Sequence, residues 1–298
     1  MDRVDIKIGF SCNNSCKFCV QGKKREKLPD KTVDKIKQEL ASGRKVGKDV
    51  VFTGGEPTLR NAELVEMVRH AKKLGYKKIQ IQTNGRLFAY KGFCRNLISA
   101  GANEFCPSLH GPDYKIHDFL TSSKGSFEQT CQGIINLKCL GQHVLTNTVI
   151  TSRNYKLLPL IAGLLVDLKV DQFQFAFPHI LGSADENKNW LVPKISRVMP
   201  YLKKALDIGI KAKKSVMTEA ITYCFMQGYE QYIGERVIPD TKIFDSGFAV
   251  ENYTLYRRDK AKIKGPACKV CRCYSVCEGP WREYPELFGW GEFIPLAK

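Results

Sequence analysis

Between residues 4 and 177 the chain alternates six times between short β-branched or aromatic runs and longer runs with helical spacing. No other feature limits its fold as strongly. Strands are expected over 4–10, 49–53, 78–83, 104–109, 144–150 and 171–177, many of them ending in Gly, Pro, Asn or Ser. Helical periodicity falls between them, over 33–41, 63–74, 92–99, 127–140 and 157–168. Gly43, Gly75, Gly101 and Gly141 follow four of these helices in the place of C-caps. Six β-α repeats imply an α/β fold, with a parallel sheet under outer helices and chemistry on the loops at the C-terminal ends of its strands.

Beyond Pro178 the alternation stops. One more helix is expected over 196–208, and irregular sequence with five cysteines and many aromatics follows. The chain therefore reads as a barrel domain over 1–209 and a compact cysteine-rich module over 210–298. The basic, polar stretch 21–30 reads as a mobile loop.

Composition narrows the class. At 43% hydrophobic and 26% charged, the chain has the balance of a globular protein. No uninterrupted apolar run reaches the ~18 residues of a membrane span, and the first residues lack a signal-peptide core. A cytoplasmic protein is expected, in which twelve cysteines point to metal binding rather than disulfides. The formal charge of +17 favours polyanions, acidic substrates or an acidic electron donor. The basic clusters are scattered, however, and no RNA-recognition motif accompanies them. A lysine-rich surface is the simpler reading and a nucleic-acid footprint the alternative.

The chemistry concentrates in a few motifs. Cys12, Cys16 and Cys19 lie in the run CNNSCKFC, with Phe18 before the last of them. Three thiolates from one loop suit one face of an iron–sulfur cube whose fourth iron stays open. A structural zinc site asks for four ligands, usually in two pairs. Thr53-Gly54-Gly55-Glu56-Pro57 follows the second strand, and its glycines let backbone approach a ligand closely. Later strands end in Thr83-Asn84, in Ser108-Leu109-His110 and in Thr146-Asn147-Thr148. Their short polar side chains suit a ribose or a carboxylate, although each alone reads more simply as a turn or strand-end cap.

Together these motifs resemble the radical S-adenosylmethionine (SAM) enzymes. The resemblance implies a partial (β/α)6 TIM-like barrel, with a [4Fe–4S] cluster on Cys12, Cys16 and Cys19. It also implies SAM contacts at Gly54, Gly55, Glu56, Pro57, Thr83, Asn84, Ser108 and Asn147. Phe18 then borders the adenine or packs beside the cluster. The implied reaction is reductive cleavage of SAM, with a ferredoxin or flavodoxin as electron donor. The resulting 5′-deoxyadenosyl radical abstracts a substrate hydrogen.

The run CKVCRCYSVCEG resembles the SPASM or twitch tails that hold an auxiliary cluster. On that resemblance Cys268, Cys271 and Cys277 are ligands of a second [4Fe–4S], Cys224 is the fourth, and Cys273 is spare. A zinc ribbon is the alternative. A peptide or protein substrate follows from the same analogy. The alternatives are RNA or a nucleotide-derived small molecule, and a non-catalytic iron–sulfur protein. Cys94, Cys106, Cys131 and Cys139 read as buried small hydrophobes, His110 as a cap, and the aromatics from Trp281 to Phe293 as packing across the barrel or the module.

Overall fold

The computed structural model describes residues 2–297. Nine strands form one sheet: β1 (Arg3–Lys7), β2 (Asp49–Thr53), β3 (Lys78–Thr83), β4 (Glu104–Pro107), β5 (His143–Val149), β6 (Gln172–Ala176), β7 (Ser215–Glu219), β8 (Thr241–Phe244) and β9 (Ala249–Val250). Their order is β7-β6-β5-β4-β3-β2-β1-β8-β9, parallel except for β9 against β8. The sheet curls as a partial barrel and stays open between β7 and β9. Its long helices are α1 (Val33–Arg44), α2 (Asn61–Lys73), α3 (Lys91–Ala100), α4 (Tyr114–Thr121), α5 (Ser126–Cys139), α6 (Leu158–Asp167) and α7 (Ile195–Lys211).

All six expected strands are present. The first is shorter than expected because residues 9–11 leave the ladder. The backbone N–H groups of Phe10 and Ser11 donate instead to Asp30. Two further parallel strands, β7 and β8, extend the sheet beyond the expected six. β7 pairs with β6, while β8 returns across the whole chain to pair with β1, Arg3 opposite Thr241. Both lie past residue 209, so the stretch from 215 to 244 is continuous with the sheet.

The strands bury in an inverted sense. In β1, Val4 and Ile6 are fully buried under the helices, whereas Arg3, Asp5 and Lys7 line the barrel interior. Period-two alternation has thus placed the polar set inside.

Several expectations need correction. Gly43 is not a C-cap; it lies within α1, where an added Cβ would meet Val4 Cγ1 at 2.9 Å. Cys139 is exposed, unlike the buried Cys94 and Cys106. The stretch 21–30, expected as a mobile loop, contains a helical turn, Lys24–Lys27, and two of its residues are tied to the rest of the fold. Arg25 Nη1 donates to the Asn14 carbonyl at 2.8 Å, and Lys24 pairs with Asp245 at 3.1 Å. The aromatic tail does pack across the barrel. Tyr284 is buried against Phe177 and accepts the Ile195 N–H at 2.8 Å.

Candidate active site at the barrel mouth

A cavity of about 460 Å³ opens at the C-terminal ends of the strands. Cys12, Cys16 and Cys19 line it, with Phe18, Gly54, Gly55, Glu56, Thr83, Asn84, Ser108 and Asn147. Pro57 does not; it opens the 3-10 turn Pro57–Arg60 behind the wall.

The cysteine loop is held by its neighbours. Gly55 N–H donates to the Gly9 carbonyl and Glu56 N–H to the Ser11 carbonyl, both at 2.8 Å. A Cβ on Gly55 would lie 2.3 Å from the Ser11 oxygen, and one on Gly54 (φ +128°) 2.1 Å from the Gly9 oxygen. Both glycines are therefore required by the approach of the cysteine loop itself. From the other side Arg86 Nη1 donates to Asn13 O at 2.6 Å, Asn14 Oδ1 at 2.8 Å and Ser123 Oγ at 2.8 Å. Sequence reasoning missed this clamp, although an arginine directly after a strand-end Asn-Gly was the available signal.

Glu56 and Thr83 line the cavity and also tie its wall together. The buried Glu56 carboxylate accepts from Thr58 N and Oγ1, from Thr83 Oγ1 at 2.7 Å and from Asn84 N at 2.5 Å. Burial nevertheless holds its proton affinity above the usual carboxylate range. Asn84 Nδ2 donates to Asn13 Oδ1 at 2.6 Å, which ties the third strand end to the cysteine loop. Ser108 and Asn147 bridge in parallel, and Asn147 Oδ1 accepts from Gln174 at 3.2 Å.

Phe18 meets the edge of His110 at 4.5 Å. His110 caps the end of β5, its Nδ1 accepting the Val149 N–H at 3.2 Å, and its backbone N–H donates to His117 Nδ1 at 3.1 Å. Burial, and then His117, push His110 well below the usual imidazole value. Burial also lowers His117 to about 4.

The thiols fit a metal cluster. Burial raises Cys12 and Cys16 above the ordinary thiol range, and the neighbouring thiols of the loop add to the rise in both. Three crowded, half-buried thiols are poorly placed as free groups and well placed as thiolates on a shared cationic centre. Among the described residues no three His, Cys, Asp or Glu side chains converge as ligands of a single ion would. A cubane, with one thiolate on each iron, does not ask that of them.

The far wall was not legible beforehand. Arg3, Asp5, Glu219 and Tyr253 line it, and burial raises both carboxylates and the phenol. Trp281 stacks on His179 there at 3.9 Å.

In the tail, Cys224, Cys268 and Cys277 lie within electrostatic reach of one another. Burial first, then Cys277 and Cys268, raise Cys224 to about 11. Cys271 and Cys273 are half-buried on the same run.

Comparison with known proteins agrees with this geometry. The Radical SAM superfamily model matches residues 6–155. The AdoMet-dependent heme synthase of Oleidesulfovibrio alaskensis is 32% identical over 48% of this chain and 37% of its own length. A probable GTP 3',8-cyclase of Methanopyrus kandleri is 30% identical over 59% and 56%. The matches thus span between a third and somewhat over half of these relatives. Among solved structures, Streptococcus suis SuiB bound to S-adenosylmethionine superposes with a TM-score of 0.66 at 17% identity, over 99% of this chain and 76% of its own. Native anSMEcpe with bound AdoMet and the Cp18Cys peptide gives 0.68 at 15% identity, over 99% and 92%. The matched stretch, 6–155, contains the three-cysteine loop and the Gly54-Gly55 turn, and this chain belongs to the radical SAM superfamily of enzymes.

Proposed function

We propose that the enzyme reductively cleaves SAM to a 5′-deoxyadenosyl radical, which abstracts a hydrogen from a peptide or protein. The observation that carries this reading is the convergence of Cys12, Cys16, Cys19, Gly54, Gly55, Ser108 and Asn147 on one cavity. When bound, the reduced cluster and SAM supply the electron and the radical. The chain's own residues position and shield. Gly54-Gly55 and Arg86 fix the cysteine loop, Ser108 and Asn147 offer polar contacts to SAM, and Phe18 walls off one side from water. Pro57 acts through the turn that it starts. A ferredoxin or flavodoxin is the electron donor, an acidic partner for a basic chain.

In this reading Cys224, Cys268, Cys271 and Cys277 hold an auxiliary [4Fe–4S] cluster. The peptide substrate is supported by the resemblance of the tail and by a fold shared with proteins solved with peptides bound. A nucleotide-derived substrate is the second reading, favoured by the relative named as a probable GTP 3',8-cyclase and by the +17 charge.

Anaerobic reconstitution tests the proposal. The wild type is expected to carry about eight irons and to form 5′-deoxyadenosine under reduction, and Cys12/Cys16/Cys19→Ala about four irons and none of the product. Wild type forming no 5′-deoxyadenosine would leave an iron–sulfur protein without this activity. Four irons falling to none, with zinc retained, would make the tail a structural staple.

A further inference from the structure

A second cavity, of about 530 Å³, lies behind the far wall of the first. Arg236 and Arg258 stand at it exposed, and neither has a carboxylate partner among the described residues. Arg236 Nη1 donates to the Glu230 carbonyl at 3.3 Å. Deeper in, the Glu235 side chain is only 8% exposed. Its Oε1 accepts from Lys262 at 2.5 Å and from the Ala220 N–H at 2.7 Å, but Oε2 has no partner among the described residues. Thr254 Oγ1, also on this cavity, is buried and equally without one. Val276 adds an apolar rim that is 59% exposed. Of the cysteines assigned to the auxiliary cluster only Cys277 reaches the cavity, so it is not the ground where they meet.

We propose that this second cavity binds an acidic peptide segment. The groups left unmet specify the ligand. Glu235 Oε2 needs a donor and Thr254 Oγ1 an acceptor, while the exposed Arg236 and Arg258 offer their charge to an anion. A peptide bond carries N–H and C=O side by side, and acidic side chains supply the anions. A free phosphate or carboxylate would bring only acceptors toward Glu235 and Glu278, which both line the cavity, and an RNA strand would set a phosphate charge against them at every nucleotide.

The inference deepens the peptide reading and rests on it. Thr254 faces this cavity and the preceding residue, Tyr253, faces the first. Arg257 lies 5.6 Å over the Tyr253 ring and grips Glu278 with two hydrogen bonds, at 2.6 and 2.7 Å. The acidic segment is therefore held one residue's thickness from the barrel interior, as an anchor apart from the residue that reacts.

Fluorescence anisotropy on the reconstituted protein tests this. The probes are a labelled twelve-residue Glu/Leu/Ala peptide, its Gln-for-Glu counterpart and an oligouridylate, at low and physiological salt. The acidic peptide is expected to bind about tenfold more tightly than the Gln peptide, and Arg236→Glu/Arg258→Glu to lose about tenfold. Thr254→Val, which changes no charge, is expected to lose about threefold. Lys91→Glu/Arg95→Glu, on the exposed face of α3, is expected to bind as wild type. Equal binding by wild type and the double-arginine variant would overturn the proposal, as would tighter, competing binding of oligouridylate. Formation of 5′-deoxyadenosine without any acidic-peptide binding would remove this inference and leave the radical reading standing.

Discussion

Glu56 Oε2 accepts the backbone N–H of Asn84 at 2.5 Å, joining the turn after β2 to the end of β3 beneath the cysteine loop. With the bonds from Thr58 and Thr83 it makes this carboxylate the knot of the site wall. Glu56→Ala leaves several buried donors unmet and is expected to cost about 2–4 kcal/mol in urea denaturation. SAM affinity should fall with it. A loss under about 0.5 kcal/mol would show that the knot is dispensable.

Gly55→Ala is expected to lower iron content while all three cysteines remain, because its Cβ would force residues 10 and 11 away. Iron assay after identical reconstitution checks it. Full iron occupancy with weakened SAM binding would return the glycine to a role in ligand approach alone.

Stability should fall as the pH drops from about 6.5 toward 4. His117 is buried neutral and its value is lowered to about 4 by burial, so in that window the unfolded chain binds a proton that the fold does not. At roughly 1.4 kcal/mol per unit the effect is about 2–3 kcal/mol. His117→Phe should reduce the slope of the stability profile between these pH values, leaving the part due to the buried His110, measured by urea midpoints at several pH values, where an unchanged slope would assign the loss to His110 and the carboxylates.

Arg257 is fully buried between Glu278 and Tyr253. Arg257→Met should cost about 3 kcal/mol, the low end for breaking a buried pair because Lys262 still reaches Glu278 at 3.1 Å. Denaturation midpoints check it, and a neutral substitution would show that Lys262 alone suffices.

Cys224→Ala is expected to lose about half of the iron, and Cys273→Ala almost none. The reverse pattern would exchange their roles.

The parts of this molecule that were legible in sequence are those written in local pattern. β2 carries the short apolar run VVF and β3 the alternation IQIQ, each closed by a turn, and their limits match residue for residue. β8 was not legible: four residues, TKIF, form a strand only because β1 lies open 238 positions earlier. The site divides in the same way. Cysteine spacing marks its cofactor half, while its far wall comes from Asp5, Glu219 and Tyr253, residues far apart in sequence that only the curvature of the sheet brings together. The alternation in RVDIK did carry a hint, since charged residues at every second position of a central parallel strand have only the barrel interior to face.

The pairing of β1 with β8 also sets the order in which the molecule can be made. As the chain leaves the ribosome, the first strand waits with one bare edge while more than two hundred residues follow it. The Lys7–Asp245 bridge, at 2.8 Å, can close only then. The edge of the barrel beside the cysteine loop is thus among the last parts to reach its final form, and a protein cut at residue 209 would keep the bare edge of β1 that β8 otherwise covers.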